Sequence, residues 1–153
     1  MRKIGIASDH AGFSLKEKIK PLLIRKGFLV KDFGAGSEER CDYPEYAFKL
    51  SREVSLDRLT SGILICKSGI GNSIVANKLP GVRAALCYNV TAARLSRQHN
   101  DSNVLILGAA FVNEKAAKRI VGVWLATKFE GGRHKRRLDQ IRAIERKIRS
   151  KVR

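Results

Sequence analysis

Four short stretches hold the residues whose types and spacing could do chemistry. Cys66-Lys67-Ser68-Gly69-Ile70-Gly71-Asn72-Ser73 sets a thiol, a hydroxyl and two glycines in one turn. A glycine-containing turn that opens a helix gathers backbone N–H groups, here those of Gly69, Ile70 and Gly71, where they can hold an anion or a developing oxyanion. Three known uses of such loops fail. A dinucleotide fingerprint lacks its third small residue at Ile74 and its acidic residue near Leu86-Cys87-Tyr88. The Gly-Lys-Ser/Thr order of a phosphate-binding NTPase loop is missing, and Asn72 stands where a Cys-x5-Arg phosphatase needs its arginine. What remains is an oxyanion turn with a thiol beside it. A cysteine at a helix N-terminus near cations has its pKa lowered, so Cys66 is expected to act as a thiolate. The competing reading is an inert core thiol.

The other three stretches are polar clusters. Asp9 and His10 follow the first strand and could face the same crevice, although Asp9 could also merely cap the next helix. Arg97-Gln98-His99-Asn100-Asp101 ends a helix, where a histidine is often only a dipole partner. Arg133 and Arg137, spaced i, i+4 in Glu130-Gly131-Gly132-Arg133-His134 and beyond, could converge two guanidinium forks on one phosphate. Read blandly, they are two charges in a basic helix. His10, His99 and His134 are scattered along the chain with no ligand spacing, so neither a metal nor another cofactor is expected.

Alternating strands and helices must position these groups. Strands are expected at 3–8, 28–33, 62–66, 82–86 and 104–107. Helices are expected over 13–26 with Leu15, Ile19, Leu22 and Leu23 inward, from an Asp42 cap to about 55, from the Cys66 turn to about 78, over 90–99, from an Asn113 cap to about 128, and from about 134 onward. Strand followed by helix, repeated, implies a parallel sheet covered on both faces: one three-layer α/β/α, Rossmann-like domain over residues 1–153. In such sheets ligands bind at the carboxyl ends of strands, at the point where strand order reverses.

Composition narrows the classes. At 153 residues and 44% hydrophobic the chain can bury a core, which disfavours disorder and fibrous classes. The longest apolar run, Val104 to Val112, is far short of the ~20 residues a membrane helix needs, and the N-terminal apolar stretch is too short for a secretory signal. Three cysteines without C-x-x-C pairing suit a reducing compartment, so a soluble cytoplasmic protein is expected. The net charge of +17 is the footprint of a nucleic-acid binder. Ten Lys+Arg and three Asp+Glu from Glu130 to Arg153 concentrate part of it, but Leu138, Ile141, Ile144, Ile148 and Val152 form an apolar stripe that would pack inward under a solvated basic face. With no RNA-binding motif, zinc-finger spacing or recognition helix, nucleic acid is disfavoured as the partner.

Six segments together resemble the ribose-5-phosphate isomerase B family, which includes galactose-6-phosphate and allose-6-phosphate isomerases. They are Ser8-Asp9-His10-Ala11-Gly12-Phe13, Asp42-Tyr43-Pro44, Gly62 to Cys66, Ala76-Asn77-Lys78, Leu95 to Asp101 and Phe129 to His134, and the likeness runs without gaps to about Ile148. It implies a five-stranded parallel sheet of order 2-1-3-5-4, a homodimer or a tetramer with active sites shared between subunits, and a sugar phosphate as partner. The implied activity is an intramolecular oxidoreduction, the aldose–ketose isomerisation of ribose 5-phosphate and ribulose 5-phosphate through an enediolate. The implied roles are Cys66 as carbon base, Ser68 passing a proton between O1 and O2, and His99 from the partner subunit opening the ring. Asp9 and Tyr43 would orient the sugar, His10, Arg133 and Arg137 would hold the phosphate, and Asn100 would bind a hydroxyl. Three departures from the family pattern stand out: Lys67-Ser68 replaces Gly-Thr and puts a cation at the mouth, Asn72 replaces an apolar residue, and Ala110 replaces an arginine that helps hold phosphate. A hexose 6-phosphate isomerase, or a degenerate member binding nucleic acid through its basic tail, are the rival readings.

Overall fold

The computed structural model describes residues 2–152. Five strands, β1 (Lys3–Ser8), β2 (Leu29–Asp32), β3 (Ser61–Cys66), β4 (Ala84–Leu86) and β5 (Val104–Gly108), form one all-parallel sheet in the order β2-β1-β3-β5-β4. Helices α1 (Phe13–Arg25), α2 (Tyr43–Ser55), α3 (Ile70–Ala76), α4 (Val90–Asn100), α5 (Glu114–Ala126) and α6 (Arg133–Lys151) flank it. The α/β class and strand order agree with expectation.

Alternation along the strands divides the core in two. Ile4, Ile6, Ile63, Ile65, Leu105 and Leu107 face Leu15, Ile19 and Leu23 of α1, Ala93 of α4, and Ile120, Val121 and Trp124 of α5. On the other face Ala7, Leu64, Val104 and Ile106 meet Ala47, Leu50 and Val54 of α2 and Ala76 of α3. Covered on both sides, the central strands read as unbroken apolar runs, as parallel strands do.

The expected boundaries shift where local bonds compete with the ladder. Strand β4 starts at Ala84 and not Val82, because the Val82 amide donates to Leu79 in a turn and the Arg83 amide donates to Asn103 Oδ1. From Ala84 on, Asn77 acts as a stand-in strand: its Oδ1 accepts from the Ala84 amide and its Nδ2 donates to the Ala84 carbonyl. Strand β2 is likewise shorter at both ends. Asn113 caps α5 through its side chain as expected, whereas Asp42 holds the N-cap position of α2 without a side-chain capping bond.

One expectation fails. The apolar stripe of the last helix does not pack inward: Leu138 is buried, but Ile141, Ile144 and Ile148 are 50%, 57% and 60% exposed. They line a groove of about 550 Å³ between α6 and the β4 edge, with Val82 and Ala84 on the opposite wall. Beyond Leu138 the helix stands across this groove from the β4 edge, and its apolar side finds too little of its own chain to bury against.

Candidate active site

Strand order reverses between β1 and β3, so the crevice above their carboxyl ends is the switch point. Ser8 pairs with Ile65 in register, which sets Asp9 beside Cys66. Both are buried, at 6% and 4% exposure. Asp9 Oδ1 accepts from the Gly12 amide at 3.0 Å, so it does cap the turn into α1 while lying at the crevice. His10 is half-buried, and its Nδ1 lies 3.2 Å from the Cys41 amide nitrogen and 3.1 Å from the Cys41 carbonyl. When Nδ1 accepts from that amide, Nε2 carries the ring proton.

The turn after β3 is aimed at the sulfur. Gly69 adopts a φ of +82°, open to glycine at no steric cost, and its N–H donates to Cys66 Sγ at 3.2 Å. The Ile70 amide donates to Ser68 Oγ at 3.2 Å. Tyr43, at the start of α2, lies against Gly71, where a Cβ would run into its ring. Tyr88 donates its hydroxyl hydrogen to the Ser68 carbonyl at 2.8 Å and stacks on Phe111, bracing the turn from the β4 side. Sequence reasoning passed over Tyr88, which no motif marked.

The electrostatics correct the expected low pKa of Cys66. Burial pushes the thiol up from its ordinary value, and the nearby Asp9 carboxylate pushes the same way. The amides of Gly69, Asn72 and Ser68 pull it down without winning. Two buried polar atoms at this end of the sheet, Ser8 Oγ and Asn72 Oδ1, have no hydrogen-bond partner among the described residues. Lys67 is exposed at the mouth, and its carbonyl accepts from the Ala110 amide at 2.9 Å, so two positions that depart from the resembled pattern are neighbours.

The remaining predicted residues lie elsewhere. Helix α4 starts just past the end of β4 and runs back toward the strand starts, where Arg83 Nε donates to the Asn100 carbonyl and the Gly62 amide donates to Asn103. His99 and Asn100 therefore sit at the amino-end edge of the sheet. The six-residue β3, about 17 Å long at about 3.3 Å per residue, separates that edge from Cys66. Arg133 and Arg137, exposed on the first turns of α6, belong to the same lower cluster. Gly131 and Gly132, at φ +71° and +54°, fold the chain back so that the Glu130 amide donates to the Gln98 carbonyl at 3.1 Å.

That fold-back corrects the expectation of scattered histidines. His99 and His134 stack with ring centroids 4.1 Å apart and planes 11° apart, and Glu130 Oε2 lies 3.6 Å from His134 Nε2. Burial, with His99 and Arg133 close by, lowers the His134 pKa against the opposing pull of Glu130. Only Glu130, two residues past the end of the expected helix, could have hinted at this, since it lies i, i+4 from His134.

The family description Ribose/Galactose Isomerase matches residues 4–141. The chain belongs to this family. It is 48% identical over 145 residues to ribose-5-phosphate isomerase B of Escherichia coli K12, a match that covers 95% of this chain and 97% of that protein. Ribose-5-phosphate isomerase B of Clostridium thermocellum superposes with a TM-score of 0.93 at 46% identity, covering 95% of this chain and 99% of the other. The Mycoplasma genitalium enzyme, solved with bound ribulose 5-phosphate, gives 0.91 at 42% identity, with 94% and 96% covered. In this isomerase fold the two clusters, thiol crevice above and histidine pair below, occupy opposite edges of one sheet. Among the described residues no helix is long and apolar enough to cross a membrane.

Proposed function

We propose that the chain interconverts ribose 5-phosphate and ribulose 5-phosphate through an enediolate, with Cys66 as the carbon base. The observation that carries this reading is the Cys66 sulfur cradled by turn amides at the switch-point crevice, in a chain so similar to E. coli ribose-5-phosphate isomerase B. Cys66 takes the C2 proton as a thiolate and returns it to C1. Ser68 carries a proton between O1 and O2, and the amides from Gly69 to Gly71 stabilise the negative oxygen. Asp9 and Tyr43 orient the sugar, and His10 donates through Nε2 to the phosphate. Lys67, beside Ala110, supplies the cation that the resembled pattern carries at position 110.

His99 as ring opener, Asn100 as hydroxyl ligand, and Arg133 and Arg137 as phosphate clamp then come from a second copy, because these residues cannot reach Cys66 of their own chain. A homodimer follows. The exposed Ile141, Ile144 and Ile148 stripe and its adjoining groove supply an apolar surface for it. The arriving arginines also bring positive charge toward the buried thiol and favour its ionised form. Turnover of ribose 5-phosphate, allose 6-phosphate and galactose 6-phosphate by the purified protein tests the reading. The largest kcat/KM is expected for ribose 5-phosphate. No turnover of it, or preference for a hexose phosphate, overturns the assignment.

A further inference from the structure

His99, Glu130 and His134 each offer a ligand atom, and these atoms all lie within 4.8 Å of one another. His134 is 5% exposed, and its Nε2 has no hydrogen-bond partner among the described residues. A buried imidazole nitrogen left without a partner costs free energy unless something fills its lone pair. Glu130 Oε2 at 3.6 Å is too far to do so by a hydrogen bond. It is close to the spacing of two ligands on one tetrahedral metal, which with bonds of about 2.0–2.1 Å stand about 3.4 Å apart.

We propose that His99, Glu130 and His134 form a binding site for a divalent zinc-class cation, and that its occupancy withdraws His99 from proton transfer. The second clause rests on the isomerase reading; the first does not. Two imidazoles and one carboxylate are the donor set of an open zinc site, with the remaining position left for water. Calcium and magnesium prefer all-oxygen shells and are poorly served here. Main-chain bonds already hold the ligands together, since the Glu130 amide is tied to Gln98 and the His134 amide to Gly131. Stacked rings point their in-plane lone pairs side by side, so one ring must turn to share a metal. His99, half-buried at the last turn of α4, is the one with room; His134 is packed in place. The half-exposed Glu130 carboxylate is the entry side. Arg133 and Arg137 nearby repel a dication, so the site fills and empties instead of holding a permanent structural ion.

Calorimetric titration of Zn²⁺ into chelator-treated protein, with Co²⁺ absorption as a second probe, tests the site. Saturable binding of one ion per chain is expected. Co²⁺ should give visible d–d bands without the near-ultraviolet charge-transfer band of a thiolate ligand. Glu130→Gln and His134→Ala should each weaken binding more than tenfold, and Cys66→Ser should leave it unchanged. Glu130 is exposed enough that its variant folds even if the buried His134 variant does not. No saturable binding, binding that survives Glu130→Gln, or binding lost in Cys66→Ser overturns the site. In the same preparations Zn²⁺ should inhibit ribose 5-phosphate turnover over the range that fills the site, with EDTA restoring it. Turnover insensitive to a filled site overturns the withdrawal of His99. Protein that binds zinc but never turns over ribose 5-phosphate overturns the isomerase reading and that clause while leaving the site in place.

Discussion

Burial and amide donation act on the Cys66 sulfur in opposite directions, and burial wins. A thiol held above its ordinary value is mostly protonated at neutral pH, and it is a stronger base once ionised. With Cys66 as the proposed base the competent form is the thiolate, so kcat/KM should climb with pH, through and past about 8.5, the unperturbed thiol value, if burial prevails, and from a lower pH by as much as the partner's arginines favour the ionised form. A pH–rate profile with no rise anywhere from acid to alkaline pH would remove Cys66 as the base. Replacing Cys66 by Ala should abolish isomerisation while sugar-phosphate binding and the circular dichroism spectrum stay close to those of the parent. Cys87 offers an internal contrast, because burial pushes its thiol up to about 11. It should resist alkylation in the folded protein, as read by mass mapping, while the half-buried Cys41 reacts.

At the scale of single elements, the strands and the thiol turn were legible because apolar runs and glycines report local conformation directly, while the strand order, which no local pattern encodes, followed only from the resemblance to the isomerase family. The pKa of Cys66 was not, since burial depends on what α1, α2 and β5 place around the turn. Nor was the meeting of His99 with His134, which needs the reversal at Gly131-Gly132 and the docking of Glu130 on Gln98. The stripe on α6 was read correctly as apolar and wrongly as inward, because periodicity gives the face of a helix and not what lies opposite it. The same helix carries a prediction. If Arg133 and Arg137 grip a phosphate, changing either to Lys turns a bidentate fork into a point charge and should raise KM about tenfold with little change in kcat. Substituting Arg146 and Arg149 by Gln, further along α6, should leave KM within about twofold. Equal effects at both ends of the helix would contradict the clamp.

For the whole molecule, the placement of the two clusters at opposite edges of the sheet makes the proposed sharing of the site directly testable. A mixture of inactive Cys66→Ala and inactive His99→Asn chains, unfolded and refolded together, should regain activity, since one site in each mixed dimer unites an intact Cys66 with an intact His99. Random pairing restores about a quarter of all sites. No recovery, with mixed dimers confirmed by mass, would mean both residues serve one chain's own site. Ile144→Glu with Ile148→Glu should lower the mass observed by sedimentation and reduce turnover together, leaving each chain folded.

A thread joins the two edges to the groove beside α6. On the proposed sharing of the site, a lone chain bears both halves of the apparatus and completes neither, which would write catalytic power into encounter and not into folding. Freshly made chains should then stay silent until their number crosses a threshold, and dilution below it should switch the population off without denaturing a molecule. A compound that wedges between Val82 and Ile144 would share no feature with a sugar phosphate, and excess substrate would not displace it.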